Sequence, residues 1–254
     1  LEGKFALILA LPERQKLLTQ ADLARGMDLL DVGGILAVSL HNDWGARRYE
    51  KHLAELAGEV ESFSKNHCRV FWARKTADLD PDIMAEWRSH AESSRIVQGR
   101  FWSRPGLFSW DEIDEGSRLL TQHLPGGIRG AVADLGAGWG FLSDFLLRTF
   151  PAIKSLDVFE ADRIALECAR KNLAAAAPGA KVRYHWDDVT AGAGSAKFDF
   201  VVMNAPFHGG RRPDPMLGYP PDAHSYRRHA PLSYVPSSPN WAPHHRRMAP
   251  RPPL

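Results

Sequence analysis

The chain has 254 residues, 44% of them hydrophobic, which is enough for a sizeable core and allows one large domain or two small ones. Its two cysteines, Cys68 and Cys168, are far apart in sequence, which excludes a disulfide scaffold and a clustered thiolate metal site and favours a reducing, cytoplasmic setting. Residues 211–254 hold seven Arg and two Asp and so carry a net charge of +5, whereas the rest of the chain carries −3. The whole-chain charge of +2 is therefore poor evidence for a nucleic-acid partner.

Residues 1–95 show alternating strand and helix patterns. Short apolar runs at 5–10 and 34–40 are typical of buried parallel strands, and residues 67–73 indicate a third strand. Helical spacing of apolar residues at 13–30 and a second helical stretch at 46–56 lie between them. This β-α-β-α-β order predicts an α/β domain.

Residues 97–210 form the clearest unit. A loop at 104–109 leads into a helix predicted at 111–123, and further helices fit at 141–150 and 163–176. Strand patterns occur at 130–135, 155–160, 181–185 and 198–204. The alternation predicts a doubly wound parallel sheet.

Residues 211–254 differ in composition from the rest of the chain. They contain 11 of the 18 prolines, and proline at that density fixes backbone angles and removes hydrogen-bond donors. One interpretation is a disordered tail, and the other is a change of reading frame near residues 216–220. No run in the chain approaches the roughly 20 apolar residues of a membrane span, so no membrane association is predicted.

A glycine-rich segment follows the strand predicted at 130–135. Asp134 lies near the end of that strand, and Gly136, Gly138 and Gly140 precede the next helix. Glycine permits sharp turns and a close approach of backbone to a ligand. The spacing differs from the dinucleotide fingerprint and from a Walker loop, so the segment predicts either a nucleotide-type loop or a tight strand-to-helix turn.

Acidic residues follow the next two strands. Ligands of doubly wound sheets bind at the carboxyl ends of the strands, where Glu160 could accept both ribose hydroxyls, although a surface glutamate is the simpler alternative. Asp162 is predicted to cap the next helix. After the third strand, Asp188 is favoured over Asp187 to accept a hydrogen bond from an adenine amino group.

The fourth strand ends in Asn204-Ala-Pro-Phe-His208, whose residue types suit methylation of a planar exocyclic amine. Asn204 Oδ1 and the Ala205 carbonyl can each accept one N–H, and Pro206 restricts the turn. Phe207 can stack on a flat substrate. The alternative is an ordinary Asn-Pro turn with a core phenylalanine, but three matching strand ends precede this motif. His208 is expected to have a structural role.

In these motifs the chain resembles the class I S-adenosylmethionine-dependent methyltransferases with a small methyltransferase domain, and among them the 16S ribosomal RNA guanine-N2 methyltransferase C family. The residues that carry the resemblance are 105–109, 114–120, 134–140, Glu160, Asp188 and 204–208. The Pro-Gly-Leu-Phe-Ser loop and the Asp-x-Gly-Ser segment are the family-specific part, whereas the glycine loop is common to the superfamily. Ala205 stands where the family usually has proline.

The resemblance implies S-adenosylmethionine as cofactor, with Asp134, Gly136, Ala137, Gly138, Gly140, Glu160 and Asp188 as its binding residues. It implies catalytic roles for Asn204, Ala205, Pro206 and Phe207, ribosomal RNA or a ribosomal subunit as partner, and no metal. It also implies that residues 1–95 are part of a degenerate methyltransferase-like domain whose earlier part is absent. Residues 97–210 would then be the amino-terminal half of the cofactor-binding domain, because 209–254 are too proline-rich to complete the sheet.

The sequence therefore predicts a Rossmann-like α/β enzyme that methylates an exocyclic amine, with guanine N2 of ribosomal RNA as the favoured target. Two alternatives stay open. One is methylation of a glutamine side chain in a protein such as a release factor. The other is an inactive remnant that binds cofactor or RNA, because the half-sheet puts catalysis by this chain in question.

Overall fold

The computed structural model describes residues 3–174, 176, 179–189 and 196–204. The chain divides into two compact units, Leu1–Glu112 and Ile113–Leu254. The proline-rich segment at 211–254, with its predicted disorder and its frame-change alternative, lies outside the described residues, as do 205–210. Within the described ranges, no helix combines the length and apolar character needed to cross a bilayer.

The first unit contains a mixed four-stranded sheet. Its elements are β1 (Phe5–Ala10), α1 (Lys16–Leu29), β2 (Leu30–His41), α2 (Ala46–Ala57), β3 (Glu61–Lys65), β4 (Cys68–Arg74) and α3 (Pro81–Ser89), followed by the hairpin of β5 (Ser94–Ile96) and β6 (Phe101–Ser103). The sheet order is β1-β2-β4-β3, with β1 parallel to β2 and the other pairs antiparallel. Three helices contribute to a core that includes Leu23, Met27, Leu53, Phe71 and Trp87.

One expectation for this unit is confirmed and one was wrong. The strand predicted at 67–73 is present as β4, which pairs antiparallel with β2 and, through a two-residue hairpin turn at Asn66 and His67, with β3. The apolar run at 5–10 is not a buried strand, because Leu7 and Leu9 are 55% and 76% exposed. Only alternate residues of β1, Ile8 and Ala10, pack against the core.

The second unit contains four parallel strands in the order β10-β7-β8-β9. Its elements are α4 (Glu115–His123), β7 (Gly130–Leu135), α5 (Phe141–Thr149), β8 (Ile153–Glu160), α6 (Arg163–Leu173), β9 (Lys181–Trp186) and β10 (Phe200–Met203). The predicted parallel α/β sheet is confirmed. The strand order reverses between β7 and β10, which is the position where ligands bind in sheets of this type.

Helices α5 and α6 of the second unit begin at the residues that the sequence predicts, Phe141 and Arg163. Asp162 accepts hydrogen bonds from the amides of Ile164 and Ala165, which confirms its predicted role as the cap of α6. Helix α4 begins at Glu115 and not at 111, because Asp114 accepts the amide of Ser117 as its cap. Apolar residues of α4, α5 and α6 pack on one face of the sheet, around Leu120, Leu146 and Leu166.

Candidate cofactor and substrate site

The four parallel strands of the second unit end side by side. Met203 pairs with Leu135, Leu135 pairs with Phe159, and Glu160 pairs with Trp186. The register therefore brings the residues that follow these strands to one edge of the sheet. Neighbouring strands lie about 4.8 Å apart, so this edge extends over about 14 Å from β10 to β9. The structure thus places Asn204, the glycine loop, Glu160 and Asp188 along one continuous edge.

The glycine loop connects β7 to α5 through left-handed backbone. Gly136, Gly138 and Gly140 have φ angles of 69°, 56° and 91°. The amides of Gly136 and Ala137 donate to the Phe159 carbonyl at 2.9 and 3.0 Å, which ties the loop to β8. On the far side of the loop, a buried Asn172 side chain donates to the Trp139 carbonyl at 2.7 Å.

Two kinds of glycine occur in this loop. A Cβ added to Gly140 would lie 3.1 Å from Ala169 Cβ, so Gly140 permits close packing of the loop on α6. A Cβ added to Gly136 or Gly138 would meet no protein atom within 4 Å. The space beside these two residues is open, as it must be if a cofactor lies against the backbone. Gly136 and Gly138 therefore fit the S-adenosylmethionine that the resemblance implies.

Glu160 spans the gap between β8 and the glycine loop. Its Oε2 accepts the Gly138 amide at 2.7 Å, and its Oε1 accepts the Asp162 amide at 2.8 Å. The side chain is partly buried, and two backbone donors fix the direction of the carboxylate. A carboxylate held in this way is suited to accept hydrogen bonds from paired hydroxyls.

Asp134 lies behind the glycine loop and is fully buried. Its Oδ2 accepts the Ser143 hydroxyl at 2.7 Å, whereas its Oδ1 is buried without a hydrogen-bond partner among the described residues. Burial raises the pKa of Asp134 to about 7, and the nearby charge of Glu160 adds to this effect. Because no part of this side chain is exposed, its predicted contact with a cofactor stays a prediction.

Asp188 lies just beyond β9 and is exposed. The preceding amide, that of Asp187, donates to the Glu160 carbonyl at 3.1 Å, and Trp186 Nε1 donates to the Ala161 carbonyl at 2.8 Å. These bonds join the segment after β9 to the segment after β8. Asp188 therefore follows a segment that is bonded to Glu160, the residue predicted to bind ribose, and its role toward adenine stays a prediction.

Asn204 follows β10 at the other end of the same edge. Its Nδ2 donates to Asp114 Oδ2 and to Ser117 Oγ, both at 2.8 Å. Three neighbouring residues with predicted catalytic roles, Ala205, Pro206 and Phe207, lie outside the described residues, as does His208.

Three contacts of this site are not predicted from the sequence. Ser143 binds Asp134, Asn172 binds the loop carbonyl of Trp139, and the Asp114–Ser117 pair binds Asn204. The Asp-x-Gly-Ser segment is a recognisable family feature, but its spacing is also that of a helix cap. The motif therefore does not indicate that these side chains contact a distant residue such as Asn204. Among the described residues, no three or more His, Cys, Asp or Glu side chains are grouped as metal ligands.

Comparisons with known proteins agree with this architecture. Residues 98–218 match the family model of the methyltransferase small domain. Curated relatives include the ribosomal RNA small subunit methyltransferases C of Yersinia pseudotuberculosis and Yersinia pestis, each 30% identical over 193 residues, which is 75% of this chain and 53% of the relative. The chain thus spans about half the length of the curated relatives it matches.

A solved structure shows the same fold. It is a 16S rRNA N2 methyltransferase from T. Thermophilus in complex with AdoMet and guanosine, and it is 30% identical with a TM-score of 0.66. The match covers 82% of this chain and 57% of that protein. These findings confirm the predicted resemblance: residues 98–218 match the methyltransferase small domain, and the Rossmann-like α/β fold is similar to that of a 16S rRNA N2 methyltransferase.

Proposed function

We propose that this chain transfers a methyl group from S-adenosylmethionine to the exocyclic N2 amine of guanine in ribosomal RNA. The observation that carries this proposal is the single strand edge that joins Asn204 to the glycine loop and Glu160. A donor site and an acceptor site on neighbouring strands can hold the two reactants at reacting distance, and such positioning can supply a large part of the reduction in barrier.

Five residues would hold the cofactor along this edge. Gly136, Ala137 and Gly138 would contact it through backbone, and Glu160 and Asp188 would bind the ribose and the adenine. Gly140 would hold the loop in place through its packing on α6, and Asp134 would support the loop from behind. S-adenosylmethionine, when bound, supplies an electrophilic methyl group on a positively charged sulfur.

The substrate amine would be held by Asn204 together with Ala205, Pro206 and Phe207. The lone pair of guanine N2 is delocalised into the ring, so it must be aimed at the methyl group for reaction. Asn204 Oδ1 and the Ala205 carbonyl would each accept one N–H of the amine, and Phe207 would stack on the base. Two acceptors at fixed positions orient the amine plane and favour its reacting geometry.

Guanine in ribosomal RNA is the target that the relatives support. The Yersinia relatives are named as methyltransferases of small-subunit ribosomal RNA, and the T. Thermophilus structure is a complex with AdoMet and guanosine. The proposed partner is therefore the small ribosomal subunit or its RNA, and the proposed location is the cytoplasm, where that subunit is found. We further propose that residues 1–95 form a degenerate, non-catalytic methyltransferase-like domain, since residues 11–16, which follow β1 at the position expected for a substrate motif, contain no asparagine.

The test is methyl transfer from radiolabelled S-adenosylmethionine. Small ribosomal subunits that lack the modification are compared with a release factor as the protein substrate. Recovery of the label as N2-methylguanosine after nucleoside digestion is the expected result. Label in a glutamine side chain would overturn the guanine assignment. Cofactor binding without transfer to either substrate would favour the inactive remnant.

A further inference from the structure

The Asn204 side chain is bound by two residues that precede it by 90 and 87 positions. Asp114 Oδ2 accepts the Ser117 amide at 2.7 Å, as a helix cap does, and also accepts Asn204 Nδ2 at 2.8 Å. Ser117 Oγ accepts the same Nδ2 at 2.8 Å. All three side chains are partly buried. The start of α4 is thus joined to the end of β10 at Asn204, the residue proposed to bind the substrate amine.

The chemistry of these groups fixes the orientation of the amide. An asparagine amide nitrogen carries two hydrogens, and an ionised carboxylate only accepts hydrogen bonds. Both Nδ2 hydrogens of Asn204 are used, one on Asp114 and one on Ser117. If the amide were rotated by half a turn, Oδ1 would face the Asp114 carboxylate, and two acceptors would then oppose each other. Oδ1 is therefore the amide atom that Asn204 can offer to a substrate.

We infer that Asp114 and Ser117 are positioning residues that make Asn204 an acceptor-only contact and so select a substrate that presents an N–H donor at this point. The inference rests on the proposed function and deepens it. A guanine base presents its N2 amine to Asn204 Oδ1, whereas hypoxanthine has no group at that position. A base with an acceptor there would face Oδ1 directly and would be rejected.

A helix cap alone does not account for Ser117. The cap bond uses the Ser117 backbone amide, which any residue except proline would supply at that position. The Ser117 hydroxyl takes no part in the cap, and it instead accepts a hydrogen bond from Asn204 Nδ2. This separation makes Ser117→Ala a clean test, because the variant keeps the cap and loses only one acceptor for Asn204.

The experiment measures binding of guanosine and inosine to the full chain by calorimetry in the presence of S-adenosylhomocysteine. Wild-type protein is expected to prefer guanosine. Ser117→Ala is expected to lower that preference about 3- to 10-fold, the effect of one hydrogen bond, while cofactor affinity changes less than about twofold. Ser117→Thr keeps a hydroxyl and is expected to restore the preference. Thr121→Ala is the matched control, because Thr121 lies on α4 and its hydroxyl donates to the Arg118 carbonyl within the same helix.

A double-mutant cycle separates positioning from general damage. On an Asn204→Ala background, Ser117→Ala is expected to change guanosine binding no further, because its effect passes through Asn204. Equal weakening of guanosine and inosine, or an effect that persists without Asn204, would overturn the inference. A wild-type chain that binds both nucleosides equally would instead contradict the guanine assignment itself. Undiminished preference in Ser117→Ala would contradict the positioning role alone.

Discussion

Glu160 Oε2 accepts the Gly138 amide at 2.7 Å, so a side chain at the end of one strand holds the backbone of the loop that follows its neighbour. The Asp162 amide fixes the other carboxylate oxygen at 2.8 Å. These bonds orient the carboxylate before any ligand arrives, which reduces the ordering that binding requires. The glycine loop and the acid predicted to bind ribose therefore act as one preformed unit.

Gly140→Ala is expected to destabilise the second unit by about 2–4 kcal/mol. The substitution places a side chain at a left-handed φ of 91° and within 3.1 Å of Ala169, so strain and overpacking add. Urea unfolding measures the change. Gly126→Ala is the matched control, because its added Cβ meets nothing within 4 Å, and it is expected to change stability by less than about 0.5 kcal/mol. Equal stability of the two variants would show that the loop does not pack on α6 as described.

The parallel sheet and its edge are predictable because their signals are local. Apolar runs mark β7 and β8, glycines follow β7, and Asp162 marks the start of α6. Since parallel strands end at one edge, the order of elements already places Glu160 and Asn204 near the loop. The predicted helix at 163–176 ends earlier, at Leu173, because the alanines that follow it in the sequence favour a helix and carry no signal that marks its end.

The remaining features depend on tertiary contacts. Strand β3 has no buried residue, so it shows no apolar pattern, and only the Asn66–His67 turn indicates its hairpin. The apolar run of β1 suits a buried strand, yet its outward residues stay exposed. Capping of α4 already explains an aspartate at position 114, so the local sequence does not predict its contact with Asn204, 90 residues away.

The two faces of the first sheet are expected to differ in their tolerance of substitution. Leu36→Ala should cost about 2–5 kcal/mol, because Leu36 is fully buried in the helix-covered core. Leu9→Ala should cost less than about 0.5 kcal/mol, because Leu9 on β1 is 76% exposed. Chemical denaturation of both variants, with Leu9→Ala as the internal control, measures the difference. A large loss of unfolding free energy in Leu9→Ala would show that β1 is buried on both faces, as the sequence predicts.

Asp134 is expected to make stability depend on pH. Its folded pKa of about 7 lies above the ordinary 3.8, so the folded state keeps a proton that the unfolded chain releases. Stability should therefore fall as pH rises from about 4 to about 7, by up to about 4 kcal/mol from this group, and level off above that range. Asp134→Asn cannot titrate and should lack this slope in denaturant unfolding followed across the same range. Parallel stability curves for the two proteins would show that Asp134 does not titrate differently on folding.

Asn204→Ala is expected to separate binding from catalysis. Asn204 lies at the end of β10, whereas the proposed cofactor contacts follow β7, β8 and β9. Cofactor affinity should therefore change less than about twofold, while methyl transfer to ribosomal substrate should fall at least about 100-fold because the amine is no longer oriented. Measuring both quantities on the same preparation checks the separation. Equal loss of the two would contradict the division of the site.

The central claim, that this strand edge binds S-adenosylmethionine, is tested most directly by calorimetry of cofactor binding to Glu160→Gln. A glutamine would turn an amide hydrogen toward one of the two backbone donors and would lose the charge, so affinity should fall about 10- to 100-fold. Glu167→Gln is the control, since Glu167 is exposed on α6 and pairs with Arg163 on the same helix, and this variant should bind the cofactor as wild type does. Tight wild-type binding that weakens only in Glu160→Gln is the predicted result. Absence of binding by wild-type protein at millimolar cofactor, or equal affinity of all three proteins, would contradict the account.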